Sequence, residues 1–153
     1  MNVRVIAVGK LRERYVAAAV ADFGARLRPY FHIDMVEVKP ADGADPRAAI
    51  ATEGERILKL LPDGETVWLL DRNGEELSSE EFAQRLKLAA DQGTSRLTFV
   101  VAGTYGSSEA LRARATVVWS LSRLTLLHEW ARALVLEQLY RAAKIGRNEP
   151  YHH

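Results

Sequence analysis

Two hydrophobic rhythms alternate along this chain: short unbroken apolar runs, and stripes at helical spacing. Val3–Val8 is an apolar run stopped by Gly9 and predicts a first strand. Arg12–Leu27 then places Tyr15, Ala18, Ala19, Phe23 and Leu27 on one helical stripe, and Pro29 ends it. Phe31–Val38 alternates as a strand through Ile33, Met35 and Val38. A loop rich in Asp, Gly and Ala follows, and Pro46 suits the first turn of a helix running to about Leu61. Pro62-Asp63-Gly64 is a turn. Thr66–Leu70 is nearly all apolar, as expected of a strand covered on both faces, and Asp71-Arg72-Asn73-Gly74 is expected to turn away from it. Ser78 and Glu81 form a capping box opening a helix to about Ala90. Arg96–Val101 is the next buried strand, Ser107 or Ser108 caps a short helix to about Ala115, Val117–Leu121 is a strand, and His128–Lys144 is the last helix. Strand and helix alternate throughout. The expected fold class is therefore α/β, a mostly parallel sheet with helices on both faces, in a single domain over residues 1–153.

Composition narrows the class. Hydrophobic residues make up 48% and charged residues 27%, which fits a globular protein and leaves no apolar run near the ~18 residues of a membrane span. The opening Met1–Val8 is too short and too soon interrupted for a signal peptide. The absence of cysteine excludes disulfides, thiolate catalysis and Cys-ligated metals, and fits a cytoplasmic location. Net charge is only +1, but the last 42 residues hold seven basic residues (Arg112, Arg114, Arg123, Arg132, Arg141, Lys144, Arg147) against three acidic ones. Such an end can form a local phosphate-binding face; an ordinary solvated surface is the alternative.

In open parallel sheets ligands bind beyond the carboxyl ends of the strands. Three of those ends are unusual: Leu69-Leu70-Asp71, Ala102-Gly103-Thr104-Tyr105-Gly106 and Leu121–Leu127. Glycine lets backbone approach a ligand closely, yet the spacing of Gly103 and Gly106 is neither GxGxxG nor a P-loop, so a tight structural turn explains it equally well. Ser120–Leu127 is apolar but not periodic. A buried loop of that kind must satisfy its backbone groups, either within the protein or against a flat polar edge such as adenine, whose faces would pack on Leu124 and Leu126; an irregular crossover is the plainer account. His128 reads as a structural cap, and Glu137–Arg141 as an i,i+4 ion pair. Asp42, Asp45 and Asp71 are spaced as turn residues, and neither zinc spacing nor a Ser–His–Asp signal is present, so no metal is expected. The tail Asn148–His153 either closes over a cleft or frays.

Taken in order, these pieces resemble the RlmH family of SPOUT-class methyltransferases. The resemblance covers the whole chain through Ile6–Leu11, Arg26–Tyr30, Glu53–Leu58 and Leu77–Ala83, and is densest in Leu136–Ala142 and Glu149–His152. It implies a homodimer with a C-terminal trefoil knot that binds S-adenosyl-L-methionine and methylates N3 of a pseudouridine in 23S ribosomal RNA, on assembled ribosomes. It also implies a cofactor pocket of Leu70, Ala102, Gly103, Leu121, Ser122, Arg123, Leu124, Thr125 and Leu126. Catalysis then falls to Arg141 on a phosphate or uracil-type carbonyl, Tyr151 against the target base, and His152 as proton acceptor. Catalysis would come mainly from holding nitrogen and methyl in line. Three positions depart from the family pattern: Ala102 where Gly is usual, Leu127 where Pro is usual, and His153 where Lys or Arg is common. The competing expectation is a non-catalytic RNA- or nucleotide-binding module on the same frame.

Overall fold

The computed structural model describes residues 1–43 and 45–151. In chain order the elements are β1 (Asn2–Val8), α1 (Arg14–Leu27), β2 (His32–Val38), α2 (Pro46–Leu58), β3 (Thr66–Glu76), α3 (Ser79–Asp91), β4 (Arg96–Val101), α4 (Glu109–Arg114), β5 (Val117–Ser120) and α5 (Trp130–Gly146). The strands form one sheet in the order β2-β1-β4-β3-β5, and every neighbouring pair is parallel. Because side chains alternate across a strand, each central strand feeds two cores. Val3, Val5 and Ala7 of β1, Trp68 and Leu70 of β3, and Leu97, Phe99 and Val101 of β4 face α1, α3 and α5. Ile6, Val8, Val67, Leu69 and Val100 face the opposite side, against Ile57 of α2 and Leu111 of α4. Central strands with two buried faces explain the unbroken apolar runs.

At the centre of the first core, Phe82 of α3 stacks on Trp119 of β5 at 4.7 Å, and Trp68 meets Phe82 and Phe99 edge-on at 5.6 and 5.8 Å. Aromatic pairs of this kind contribute about 0.5–1.5 kcal/mol beyond the area they bury. The capping box of Ser78 and Glu81 opens α3 as the sequence predicts, and Asp45 and Ser108 cap α2 and α4.

Several boundaries differ from the sequence expectation. On α1 the inward stripe is Val16, Val20, Phe23 and Leu27, and Tyr15 is 55% exposed against Trp130. The i,i+4,i+7,i+11 spacing of that stripe is as helical as the expected one, and packing against α5 decides between them. Helix α2 stops at Leu58 rather than Leu61. Leu60 N–H and Leu61 N–H bond the carbonyls of Ile57 and Leu58 at 2.9 and 3.1 Å, tightening the last turn while Leu61 stays buried. Helix α5 begins at Trp130 and β5 ends at Ser120.

The consequential difference is β3. The chain does not turn away after Leu70: Leu70 and Glu75 both sit opposite Trp119 of β5, so residues 71–74 are looped out and the strand then resumes to Glu76. Gly74 permits the return, since a Cβ there would stand 2.5 Å from the carbonyl oxygen of Val118. The looped-out residues project from the carboxyl edge of the sheet.

Candidate functional site

Three irregular segments meet beyond the carboxyl ends of β3, β4 and β5, and they enclose a cavity of about 530 Å³. The bulge 71–73, the turn 101–107 and the bend 121–128 form its walls, with Ala131 of α5 behind. Of the residues implied as a cofactor pocket, Leu70, Ala102, Gly103, Leu121, Ser122, Leu124, Thr125 and Leu126 line this space, whereas Arg123 is exposed and lies outside the lining.

The first wall is organised by Asp71. Its carboxylate accepts the Asn73 backbone N–H at 2.9 Å and the Ser107 hydroxyl at 2.8 Å, and it is paired with Arg112 of α4. Burial alone would raise its pKa, but these donors outweigh burial and hold the carboxyl below its ordinary range. One side chain thus joins the β3 bulge, the glycine turn and α4. Read as an ordinary turn residue from its spacing, Asp71 has the additional role of tying together the cavity wall.

The second wall is a tight turn in which Gly106 N–H bonds the Gly103 carbonyl at 3.0 Å and Gly106 takes φ +105°. At Gly103 the room a Cβ would need is taken by the carboxylate of Glu53 on α2, at 2.6 and 2.7 Å. The close approach demanding glycine here comes from the protein itself, on the side away from the cavity. Glu53 is buried, and burial raises its pKa against the pull of His128, the Ala41 backbone and Arg56. Nothing in local spacing marks Glu53, because Gly103, against which it packs, lies 50 residues away in the chain.

The third wall is the bend. Its apolar side chains are not buried as the sequence suggests: Leu124 is 71% and Leu127 46% exposed. Its backbone is held by its own serines, with Leu124 N–H donating to Ser122 Oγ at 3.0 Å and Ser120 Oγ donating to the Ser122 carbonyl at 3.1 Å. Arg72 of the bulge reaches Thr125 Oγ1 at 3.2 Å.

Where the bend ends, the chain is gripped. His128 Nε2 donates to the Val8 carbonyl at 3.1 Å, so it anchors β1 and does not cap α5. Glu129 accepts the N–H groups of Arg12 and Glu13. Arg132, 1% exposed, donates to the carbonyls of Val8 and Gly9. Arg132 therefore cannot belong to a basic surface. Much of the remaining positive charge is also engaged: Arg112 with Asp71, Arg141 with Glu137, and Lys144 with Glu149.

The residues implied as catalytic are gathered elsewhere. Arg141 bonds Glu137 through Nε and Nη2 at 3.0 and 2.7 Å, as the i,i+4 spacing predicts, and lies 4.7 Å from the centre of the Tyr151 ring. Tyr151 packs edge-on against Tyr140 at 4.8 Å and donates to Glu137 at 3.3 Å. Burial, then the Glu137 carboxylate, push its phenol pKa up, so it stays protonated at neutral pH and acts as a hydrogen-bond donor. Neither Arg141 nor Tyr151 lines the cavity. His152 lies outside the described residues.

Known proteins share both the sequence and this frame. The family described as "Predicted SPOUT methyltransferase" matches residues 1–152. A protein of Geotalea daltonii, named ribosomal RNA large subunit methyltransferase H, is 44% identical over 153 residues, the full length of both chains. One of the same name from Dictyoglomus thermophilum is 41% identical, also over the full length of both. A probable methyltransferase from Bordetella pertussis superposes with a TM-score of 0.62 over 93% of this chain and 96% of that one; at 15% identity this shows a common fold. The alternating strands and helices, the cavity at the carboxyl edge and a match spanning nearly every residue lead to one conclusion: this chain belongs to the SPOUT methyltransferase family.

Proposed function

We infer that this protein methylates large-subunit ribosomal RNA, with S-adenosylmethionine as the methyl donor. The observation that carries this reading is the cavity at the carboxyl ends of β3, β4 and β5, in a chain related along its whole length to ribosomal RNA methyltransferases. The space fits a small cofactor, for which sites of about 300–1,000 Å³ are usual. When bound, the donor supplies a methyl group already activated by its sulfonium.

The residues of the chain hold and orient. Leu124 and Leu126 offer apolar faces to a flat ring, and the backbone of residues 102–107 offers amide groups to its polar edge. Asp71 keeps the bulge and the turn at a fixed separation through Asn73 and Ser107. The nucleotide is a pseudouridine, methylated at N3 in the assembled ribosome. Arg141 binds its phosphate or carbonyl, Tyr151 donates to or packs on the base, and His152 takes the N3 proton. The proton acceptor cannot be Tyr151 at neutral pH, since its raised pKa keeps the phenol protonated.

Helix α5 rises about 1.5 Å per residue, so Ala131 at the cavity and Arg141 are about 15 Å apart along it. A homodimer resolves that separation by setting the tail of one protomer over the cavity of the other. The exposed Tyr105, Leu124, Leu126 and Leu127 at the cavity rim support such a covered face. The trefoil knot belongs to the same reading, and its support is that the chain after β5, at one edge of the sheet, returns across the strand ends to Val8.

Mass mapping of ribosomal RNA from a deletion strain, with and without this protein restored, tests the activity. One methylated pseudouridine lost and regained is expected; an unchanged map ends the reading. Calorimetry separates it from a binding module, which would give no saturable heat with S-adenosylmethionine.

A further inference from the structure

Gly103 has two sides. One lines the cavity, and the other is filled by the Glu53 carboxylate. The next residue of α2, Gly54, is equally close to the turn: a Cβ on it would stand 2.5 Å from Ser108 Oγ, the cap of α4. Helix α2 therefore supports the glycine turn at both ends. For that task alone a neutral side chain would serve, and a buried carboxylate costs free energy. The titratable and charged side chains that act on Glu53 are His128 and Arg56, the latter one turn along its own helix. Arg56 is directed outward, donating to the carbonyls of Lys39 and Pro40 at 2.8 and 3.0 Å. His128 lines the cavity.

We propose that Glu53 is a positioning residue for the methyl donor: its carboxylate buttresses Gly103 from behind the cavity and supplies fixed negative charge to a wall that receives a sulfonium. This rests on the function proposed above. A carboxylate behind the wall favours the cationic donor over its neutral demethylated product. It acts through the Gly103 backbone and touches neither ligand.

The stability of the chain offers an independent reading. Burial raises the folded-state pKa of Glu53 above its ordinary 4.5. Its stabilising contribution is then present below that value and is lost as pH rises through the folded pKa. Above its folded pKa the ionised group opposes folding, and a neutral replacement of the same shape keeps or raises the melting temperature.

The test is Glu53→Gln in the full chain, titrated calorimetrically with S-adenosylmethionine and with S-adenosylhomocysteine, alongside thermal unfolding. Donor affinity is expected to fall about tenfold, product affinity less than about twofold, and KM for the donor to rise with kcat nearly unchanged. The melting temperature should hold or rise. Gly103→Ala should also weaken donor binding, and Gly103→Ala with Glu53→Ala should recover part of that loss by removing the clash. Donor affinity at the wild-type level, equal weakening of both ligands, or loss of the fold in Glu53→Gln would each overturn the proposal. A wild-type chain that takes up no donor would instead remove the function beneath it.

Discussion

Arg132 donates from Nη2 to the Gly9 carbonyl at 2.8 Å, joining α5 to the end of β1 across 123 residues of chain. The same nitrogen reaches Val8 O at 3.1 Å, and Nη1 lies 3.7 Å from Glu37. These bonds fix where the chain emerges from the bend, and so set one wall of the cavity. A lysine offers a point charge without the planar fork. Arg132→Lys is expected to cost about 1–3 kcal/mol, read as a lower urea midpoint at constant m-value, because the Gly9 carbonyl loses its donor and the Val8 carbonyl is left with His128 alone. An unchanged midpoint would show that the fork is dispensable.

Glu129 completes the grip from the opposite charge. It accepts Arg12 N–H at 2.6 Å and Glu13 N–H at 3.0 Å, satisfying the backbone donors of the N-cap of α1 and of the residue before it. Burial by itself would raise its pKa, yet those two amides, with Arg132 and His128, bring it below the ordinary 4.5. A depressed folded pKa gives stability that is present above 4.5 and disappears as pH falls through the folded value. Glu129→Gln should therefore cost about 1–2 kcal/mol at neutral pH, and the gap from wild type should close on acidification. A gap that does not narrow in acid would rule out the charge as its source.

The fold was readable in the sequence because β1, β3 and β4 are buried on both faces and therefore lack alternation, while Ser78 and Glu81 mark a helix start locally. The three segments around the cavity were readable too, as strand ends that break the rhythm. What escaped notice depends on partners far apart in the chain. Glu53 and Gly103 meet only once α2 lies against the sheet. Arg132 sits among cationic residues in sequence and proves to be buried. The resumption of β3 at Glu75 needs β5 beside it, and the polar run Asp71-Arg72-Asn73 with Gly74 conceals it. The bend misled in the other direction: its leucines suggested burial, yet several stand exposed.

Asp71 offers a test of the first wall. Its lowered pKa means that its contribution exists above 3.8 and vanishes as pH drops through the folded value. Asp71→Asn keeps the size but gives up the pairing with Arg112. A loss of about 1–3 kcal/mol is expected, together with a several-fold rise in KM for the donor, because bulge and turn are no longer fixed to each other. Chemical denaturation and initial-rate kinetics read the two effects; donor KM at the wild-type value would detach Asp71 from the cavity's function.

Leu124, 71% exposed, tests the covered face. An isolated surface leucine contributes little to the folding of its own chain, so Leu124→Ser should leave the melting temperature of the monomeric unit nearly unchanged, within about 0.5 kcal/mol. If a second protomer packs on the rim, sedimentation equilibrium should show a dimer that dissociates at higher protein concentration than wild type. Identical association constants would place the contact elsewhere.

The separation of Arg141 from the cavity makes the strongest demand on the proposed homodimer. Thr125→Trp fills the cavity from its exposed bend without touching the core. Arg141→Ala removes the guanidinium beside Tyr151 but leaves the cavity intact. Each variant alone should be inactive on ribosomal RNA. After the two are mixed and allowed to exchange subunits, half of the dimers are mixed. If each site takes its cavity from one protomer and its tail from the other, a mixed dimer pairs one sound cavity with one sound tail. Activity should then return to about a quarter of wild type. A site built within one protomer predicts no recovery, since every protomer in the mixture carries one of the two defects. Methyl incorporation measured before and after exchange distinguishes these outcomes, and failure to recover despite demonstrated exchange would require the tail to reach its own cavity.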